Sequence, residues 1–274
     1  MSEQKFLENY DINSYKRPSV AADIAAFTIR YEEEENYRRC EKNKLSLLLI
    51  KRGEFPFKDC WALPGGFVRE NETIEECAFR ETTEETGIEP SAVMPVGVFS
   101  EIDRDPRGRV ISNAFVSVIT NGVEHTKGGY DASQASWFDI EFDKNYDGLF
   151  ELKLNNGEIH LSALLKEKSE SFGFTKYEII DSGTLAFDHA AIISSSLKAL
   201  RRCIGDFDII FDFLPEKFTL TQLQLVQETV LNVSMLPANF RRKAADYVEV
   251  TDDYITGAGH RPAQLYRKKL NCKN

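Results

Sequence analysis

The stretch RETTEETGI, Arg80 to Ile88, places Glu81, Glu84 and Glu85 almost side by side and closes on Gly87. On a helix turning about 100° per residue, Ile74, Cys77, Ala78, Glu81, Glu84 and Glu85 fall on one face, so an apolar stripe runs straight on into three acids. A merely solvated acidic helix does the reverse, with its charges across from the buried stripe. Like charges at this spacing cost a helix ~0.2–0.5 kcal/mol per pair. A divalent cation with oxygen ligands removes that cost, and Mg²⁺, or Mn²⁺ in its place, suits a few carboxylates plus substrate phosphates. Arg80 lies beside the cluster, and Glu72, eight residues earlier, is its expected partner. The preceding LPGGF, Leu63 to Phe67, offers flexible backbone, with Gly65 as the candidate backbone ligand.

Gly66, five residues, Glu72, seven residues, then Arg80-Glu81-x-x-Glu84-Glu85-x-Gly87-Ile88 resembles the Nudix box over its full length. Thr82 is the one departure, since the family usually has a bulky aliphatic residue there. The resemblance implies an α+β fold, a mixed sheet sandwiched by helices in α/β/α fashion, that hydrolyses nucleoside diphosphates linked to another group. It implies Glu84 and Glu85 as the principal metal ligands and Glu81 as a ligand or the acceptor of the water proton. Arg80 and Glu72 become an orienting pair. The chemistry agrees, because metals neutralise a pyrophosphate and generate hydroxide while a carboxylate shapes proton transfer. A further catalytic carboxylate often comes from another loop in this family. Asp103, Asp105 and Asp131 are the candidates.

Other residues carry two readings. RDPRGR, Arg104 to Arg109, sits between strand-like runs; Arg104, Asp105 and Arg107 form a clamp for phosphates or a terminal ribose, or else a polar hairpin turn. Trp61 and Phe67 flank the PGG loop. Phe67 is taken as a ligand contact, although aromatic residues there more often belong to the core. Asp188 and His189 read as a helix cap beside a packed histidine rather than an acid-base pair. Cys77 on the apolar stripe is core.

The chain that must position these residues has 274 positions, long enough for two domains. Its hydrophobic and charged fractions, 42% and 28%, are ordinary for a folded soluble protein. Five scattered cysteines without a CxxC pair fit reduced thiols, no apolar run reaches membrane-spanning length, and the N-terminus lacks a secretory pattern; a cytoplasmic location with no membrane partner is expected. SVAADIAAFTI and LSLLLIKR read as strands. A helix pattern follows Gly66 and stops at Gly87. AVMPVGVFSEI, VISNAFVSVIT and ASQASWFDI are strand-like, and an extra hairpin near 148–165 turns at Asn155, Asn156 and Gly157. LAFDHAAIISSSLKALRRCIG reads as a helix ending at Gly205. These runs define a first domain, 1–204.

Charge shifts along the chain. Residues 1–200 hold 23 basic against 35 acidic side chains, whereas 201–274 hold 11 against 9. In this second domain, 205–274, TLTQLQLVQETVL and LPANFRRKAADY read as helices and VEVTDDYITGAGHRPAQLYRKK as two strands about a turn. That is the order of a winged helix-turn-helix. Asn239, Arg241, Arg242 and Lys243 crowd the first turns of its second helix, and Arg261 and Arg267 sit on the wing, where DNA would be met. A basic-tipped dimerisation element is the alternative. RDPRGRVIS, LAFDHAAII, FTLTQLQ, NFRRK and RPAQLYR, in that order behind the box, are similar to the Nudix-related transcriptional regulators of NAD metabolism and their ADP-ribose pyrophosphatase relatives. This implies an ADP-ribose-like nucleoside diphosphate ligand, a homodimer and operator DNA as partners. In those regulators the box is often degraded, whereas here every acidic position is present. Three readings follow: a Mg²⁺-dependent hydrolase of ADP-ribose or a relative, fused to a winged helix; a DNA-binding regulator with ADP-ribose as effector; and a hydrolase whose tail only dimerises.

Overall fold

The computed structural model describes residues 2–31, 43–90, 92–120, 132–171, 174–205, 207, 209–255 and 262–269. At its centre lies β1 (Ser19–Tyr31), buried from Ala21 to Ile29 and mostly apolar there because both faces are covered. It pairs antiparallel with β2 (Asn43–Arg52) and parallel with β6 (Val110–Val118), in register from Ser19↔Val110 to Phe27↔Val118. With β3 (Trp61–Ala62), β4 (Gly65–Phe67), β5 (Met94–Phe99), β7 (Ala132–Lys144), β8 (Phe150–Asn155), β9 (His160–Ser171) and β10 (Phe174–Asp181) it forms one mixed sheet. The order along it is β10-β9-β8-β7-β2-β1-β6-β5, β3 pairing β2 and β4 pairing β1.

The period of two along β1 divides the core. Ala22, Ile24 and Ala26 face α2 (Ile74–Thr86), in a cluster with Leu48, Cys77, Ala78, Phe115 and Trp137. Ala25, Phe27 and Ile29 face the other way, into the cluster built around α3 (His189–Gly205). This is the expected helix–sheet–helix sandwich. Phe174 of β10 meets Phe99 of β5 edge to face at 5.8 Å, and a Cβ on Gly97 would lie 2.7 Å from the same ring. The two ends of the sheet therefore approach one another, and α3 is buried along nearly its whole length.

Sequence periodicity placed a helix directly after Gly66. Instead Gly65 and Gly66 are strand residues opposite Asp23 and Ala22 of β1, and the helix begins at Ile74, where Thr73 and Glu76 form a capping box. The Asn155-Asn156-Gly157 turn joins β8 to β9, with Asn156 Oδ1 accepting from the N–H groups of Glu158 and Ile159.

Beyond α3 come α4 (Leu220–Leu231), started by a Thr219–Gln222 capping box, and α5 (Pro237–Ala244), with proline in its first turn. A hairpin of β11 (Val248–Ile255) and β12 (Ala263–Lys268) completes a winged helix. Its Leu223, Val226, Val230, Phe240, Ala244 and Val248 belong to the same apolar cluster as Leu197, Leu200 and Ile204 of α3. Gln227 Nε2 donates to Ile204 O at 3.0 Å, and Arg201 Nε to Val230 O at 3.0 Å. No helix among the described residues is long and apolar enough to cross a membrane.

Because Leu197 is fully buried where α3 meets this shared core, Leu197→Ala will lower unfolding free energy by about 2–5 kcal/mol. Chemical denaturation followed by circular dichroism measures it.

Candidate active site

Helix α2 buries Cys77, Ala78, Thr82 and Thr86; Glu81 and Glu85 sit half-buried at the edge of that stripe. Glu84 corrects the helical-face expectation. It lies outside the stripe with its side chain 50% exposed, so two acids continue the buried face rather than three. Thr82, where the box departs from its usual residue, is buried, and its hydroxyl donates back to Ala78 O at 2.8 Å, which removes the cost of burying it. Gly66 lies directly under the Glu81 carboxyl, where a Cβ would come within 2.4 Å of the carboxyl carbon and would displace that side chain.

Arg80 organises the acids. Its Nε and Nη2 grip Glu72 as a fork at 2.8 and 2.7 Å, and Nη1 donates to Glu81 at 2.6 Å and to Glu84 at 3.1 Å. Held by Arg80, the Glu72 carboxyl falls to about 2. The Arg80–Glu72 pair thus links α2 to the loop before it, and Nη2 also reaches Phe67 O at 3.3 Å. Glu85 is different. It accepts one hydrogen bond, from Gly65 N–H at 2.9 Å, while burial and then the charges of Glu81 and Asp23 push it up to about 8. The contact to Gly65 shown here is therefore through the N–H.

The cleft beside Glu85 is narrow, about 50 Å³, lined among others by Asp23, Arg52, Gly65, Phe67, Arg107 and Phe187. The guanidinium of Arg107 stands 5.1 Å from the Phe67 ring and 5.7 Å from Phe187, and that of Arg52 4.9 Å from Phe187. Phe67 is 41% exposed at the mouth, whereas Trp61 is core, edge-on to Phe138. Arg107 also binds Asp105 as a fork, at 3.1 and 2.8 Å. Burial opposes the Asp105 charge, but Arg107 and its N–H outweigh that and hold the carboxyl below its ordinary value. Of the further carboxylate candidates, Asp103 is exposed, Asp105 is tied to Arg107, and Asp131 lies outside the described residues.

Arg104, expected beside Arg107 as a clamp, lines the same cleft but is buried and engaged. Nε and Nη2 bind Asp188 at 2.9 and 2.6 Å, and Nη2 reaches Asp23 at 3.3 Å. The Asp188 carboxylate is thus used by Arg104, while its carbonyl accepts the N–H groups of Ala191 and Ile192 at the start of α3. Asp23, which sequence reasoning passed over, also accepts from Ser112 Oγ at 2.5 Å and lies 3.7 Å from His189 Nε2. Its signal was a lone acid inside an apolar strand, a position that demands partners. His189 is buried, its Nδ1 accepting from Leu63 N–H at 2.8 Å, and burial pulls its pKa below the ordinary value. It braces the PGG loop and is packed, as expected.

The donor set fits a hard cation in type. It is all oxygen, and among the described residues no cationic side chain lies within ion-pair distance of the desolvated Glu85. Glu81, Glu84 and Glu85, with the backbone of Gly65, are the groups that would hold it. As placed they do not converge: Arg80 draws Glu81 and Glu84 together, and no group of three such side chains among the described residues stands at metal-holding spacing.

On α5, Asn239, Arg241, Arg242 and Lys243 are all exposed. Lys243 is partly committed, donating to Gly205 O at 2.8 Å with its ammonium 5.2 Å from the Phe207 ring. Arg267 is paired with Glu249 on the hairpin. Arg261 lies outside the described residues.

Residues 37–145 match the family model described as the NUDIX domain, and residues 210–268 the NrtR DNA-binding winged helix domain. Half of the chain is 41% identical, over 140 residues, to an ADP-ribose pyrophosphatase of Methanocaldococcus jannaschii, covering 73% of that protein. The chain belongs to the Nudix family. Across 98% of its length this Nudix protein is also 29% identical to the ADPR responsive transcriptional repressor NtrR of Acinetobacter baylyi, covering 89% of it. Among solved structures, a MutT/nudix family protein from Enterococcus faecalis matches 98% of the chain and 94% of its own at 29% identity, with a TM-score of 0.72. The Nudix fold and the C-terminal winged helix are thus both present, as the sequence led one to expect.

Two outcomes test this geometry. The folded-state pKa of His189 is depressed, so above the ordinary 6.5 both states are neutral there and stability is independent of this group. As pH falls below 6.5 the unfolded state takes up the proton first and stability declines. His189→Asn, which can still accept from Leu63 N–H, will flatten that limb in urea titrations run between pH 5 and 8. Thr82→Val, replacing a self-satisfied hydroxyl by a methyl, will change stability by no more than about 1 kcal/mol, in either direction, in the same assay.

Proposed function

We propose that the chain is a Mg²⁺- or Mn²⁺-dependent Nudix pyrophosphatase cleaving ADP-ribose or a closely related nucleoside diphosphate derivative, organised as a Nudix domain, 1–204, and a winged-helix domain, 205–274, in a homodimer. The observation that carries this reading is Glu85, a desolvated carboxyl at the edge of the cleft that accepts only a backbone N–H, beside Glu81 and within an acidic box complete at every position. Glu84 and Glu85 serve as principal metal ligands, Glu81 as a ligand or the acceptor of the water proton, and Gly65 through its backbone. A bound divalent ion would neutralise the pyrophosphate and lower the pKa of water. The chain's own groups supply orientation. Arg80 and Glu72 fix α2 against the loop, Arg107 presents a guanidinium for phosphate, and Phe67 offers an exposed ring to the ligand.

A second reading is favoured by the exposed Asn239, Arg241 and Arg242 on the first turns of α5 and by the likeness across the whole chain to an ADPR responsive repressor. In it the same cleft takes ADP-ribose as effector and α5 meets operator DNA.

Hydrolysis of ADP-ribose with Mg²⁺, screened beside NAD, nucleoside triphosphates and diadenosine polyphosphates, separates the two. Turnover is expected, and Glu84→Gln or Glu85→Gln will reduce it by about 10²–10⁴-fold. An unmutated protein with no turnover on any of these, yet with ADP-ribose bound, would sink the hydrolase reading. For the second, Arg241→Ala with Arg242→Ala will abolish capture of an enriched genomic fragment at low salt. Failure to enrich any fragment over random DNA rules it out.

A further inference from the structure

Strands β2 and β7 are paired from Arg52↔Ala132 to Ser46↔Asp139 and no further. Beyond that point β2 runs back to Asn43 bonded to β1, while β7 runs on to Lys144 bonded to β8. The two strands part, and a cavity of about 530 Å³ opens in the fork, lined also by Arg201 of α3, by Thr229 of α4 and by Asn232, the residue that caps its C-terminus. That is about ten times the volume of the cleft beside Glu85 and within the roughly 300–1,000 Å³ usual for small-molecule sites.

Two groups at this fork lack what burial demands. Both side-chain atoms of Asn43, a donor and an acceptor, are buried without a hydrogen-bond partner. Arg201 is drawn below its ordinary pKa by burial, with Asp143 acting against that; its Nε donates to Val230 O, and among the described residues no carboxylate lies within ion-pair distance of its guanidinium. Arg201 and Asp143 both line the cavity. The remaining wall charges sort themselves. Lys44 pairs with Asp139 at 3.4 Å and Lys153 with Glu151 at 3.0 Å, which leaves Glu141 and Asp143 as acceptors facing the space.

We infer that this fork is a second ligand site, separate from the Nudix cleft, and that it takes a nucleoside monophosphate. The phosphate meets the free Nη groups of Arg201, the ribose hydroxyls donate to the carboxylates of Glu141 and Asp143, and the amide of Asn43 meets a base edge with one donor and one acceptor. A bare small anion is disfavoured by the two carboxylates, and an apolar ligand would strand every polar group named. Because the walls come from both β2 and α4, occupancy bears directly on the contact between the Nudix sheet and the winged helix.

Isothermal titration of the full chain with AMP, without divalent metal, reads binding alone, so the outcome is independent of whether the Nudix cleft turns over. To remove the contribution of that cleft, the titration is run on the unaltered chain and on Arg107→Ala. AMP binding is expected to survive in Arg107→Ala and to weaken at least tenfold when Arg201→Gln or Asn43→Ala is added. Melting curves without ligand check folding; should Arg201→Gln lose its melting transition, Asn43→Ala decides. No AMP binding, binding lost with Arg107→Ala alone, or binding indifferent to both fork substitutions overturns the site. Displacement of AMP by a pool of the twenty amino acids, with tighter binding of one of them, overturns the nucleotide assignment.

Discussion

A single guanidinium, that of Arg104, ties together segments far apart in the chain. From the loop between β5 and β6 it reaches Asp188 at the start of α3 and Asp23 in the middle of β1, and Asp23 in turn takes the hydroxyl of Ser112 on β6. His189, the residue after Asp188, holds the backbone of Leu63 just before the two glycines. Desolvating three charges is expensive, and their mutual attraction recovers that cost only because Arg104 bonds both carboxylates and Asp23 is further held by Ser112. Such a network adds little net stability. Its effect is to permit one arrangement of the cleft, since any slip of loop, strand or helix leaves a charge buried and alone, at about 3–5 kcal/mol.

Through α3 the same constraint extends to the other end of the molecule. The helix spans 17 residues, roughly 25 Å at 1.5 Å per residue. Its first residue, His189, lines the cleft, and its last turn receives Gln227 of α4 at Ile204 O and Lys243 of α5 at Gly205 O. With buried side chains on nearly every face, α3 cannot bend or rotate without opening the core. Cleft and winged helix are therefore positioned by one rigid element rather than by a linker.

These relations also mark where the sequence stops being readable. Spacing along α2 and the loop just before it exposes the Nudix box, because Glu72, Arg80 and Glu81 meet through local geometry. Capping residues and a proline likewise betray α4 and α5. Arg104 could not be read that way. Next to Arg107 in a polar turn it looks like a second clamp, and only the parallel pairing of β1 with β6, together with the return of α3, brings Asp23 and Asp188 to it. Glu84 shows the same limit at smaller scale: an angle of about 100° per residue puts it near the buried stripe, but the residues buried on α2 are Cys77, Ala78, Thr82 and Thr86, and Glu84 lies outside them. The fork between β2 and β7 leaves no sequence trace, because it arises where a pairing ends.

The charge balance of the box explains why so acidic a site can fold. Arg80 shares its donors among Glu72, Glu81 and Glu84, and Arg69 adds a contact to Glu84 at 3.4 Å, so three of the four carboxylates have a counter-charge within the protein. The fourth makes no ion pair among the described residues, and Arg52 acts on it only through space. Glu85 sits beside the backbone of Gly65 with its carboxyl driven toward the neutral form, so the folded chain avoids an uncompensated buried anion. One partner set thus does the structural work, and one acid is left over at the cleft. A site built only for stability would have matched every carboxylate with a cation or replaced the last one by an apolar residue. The retained, unmatched acid is what gives the cleft a reason to take up positive charge.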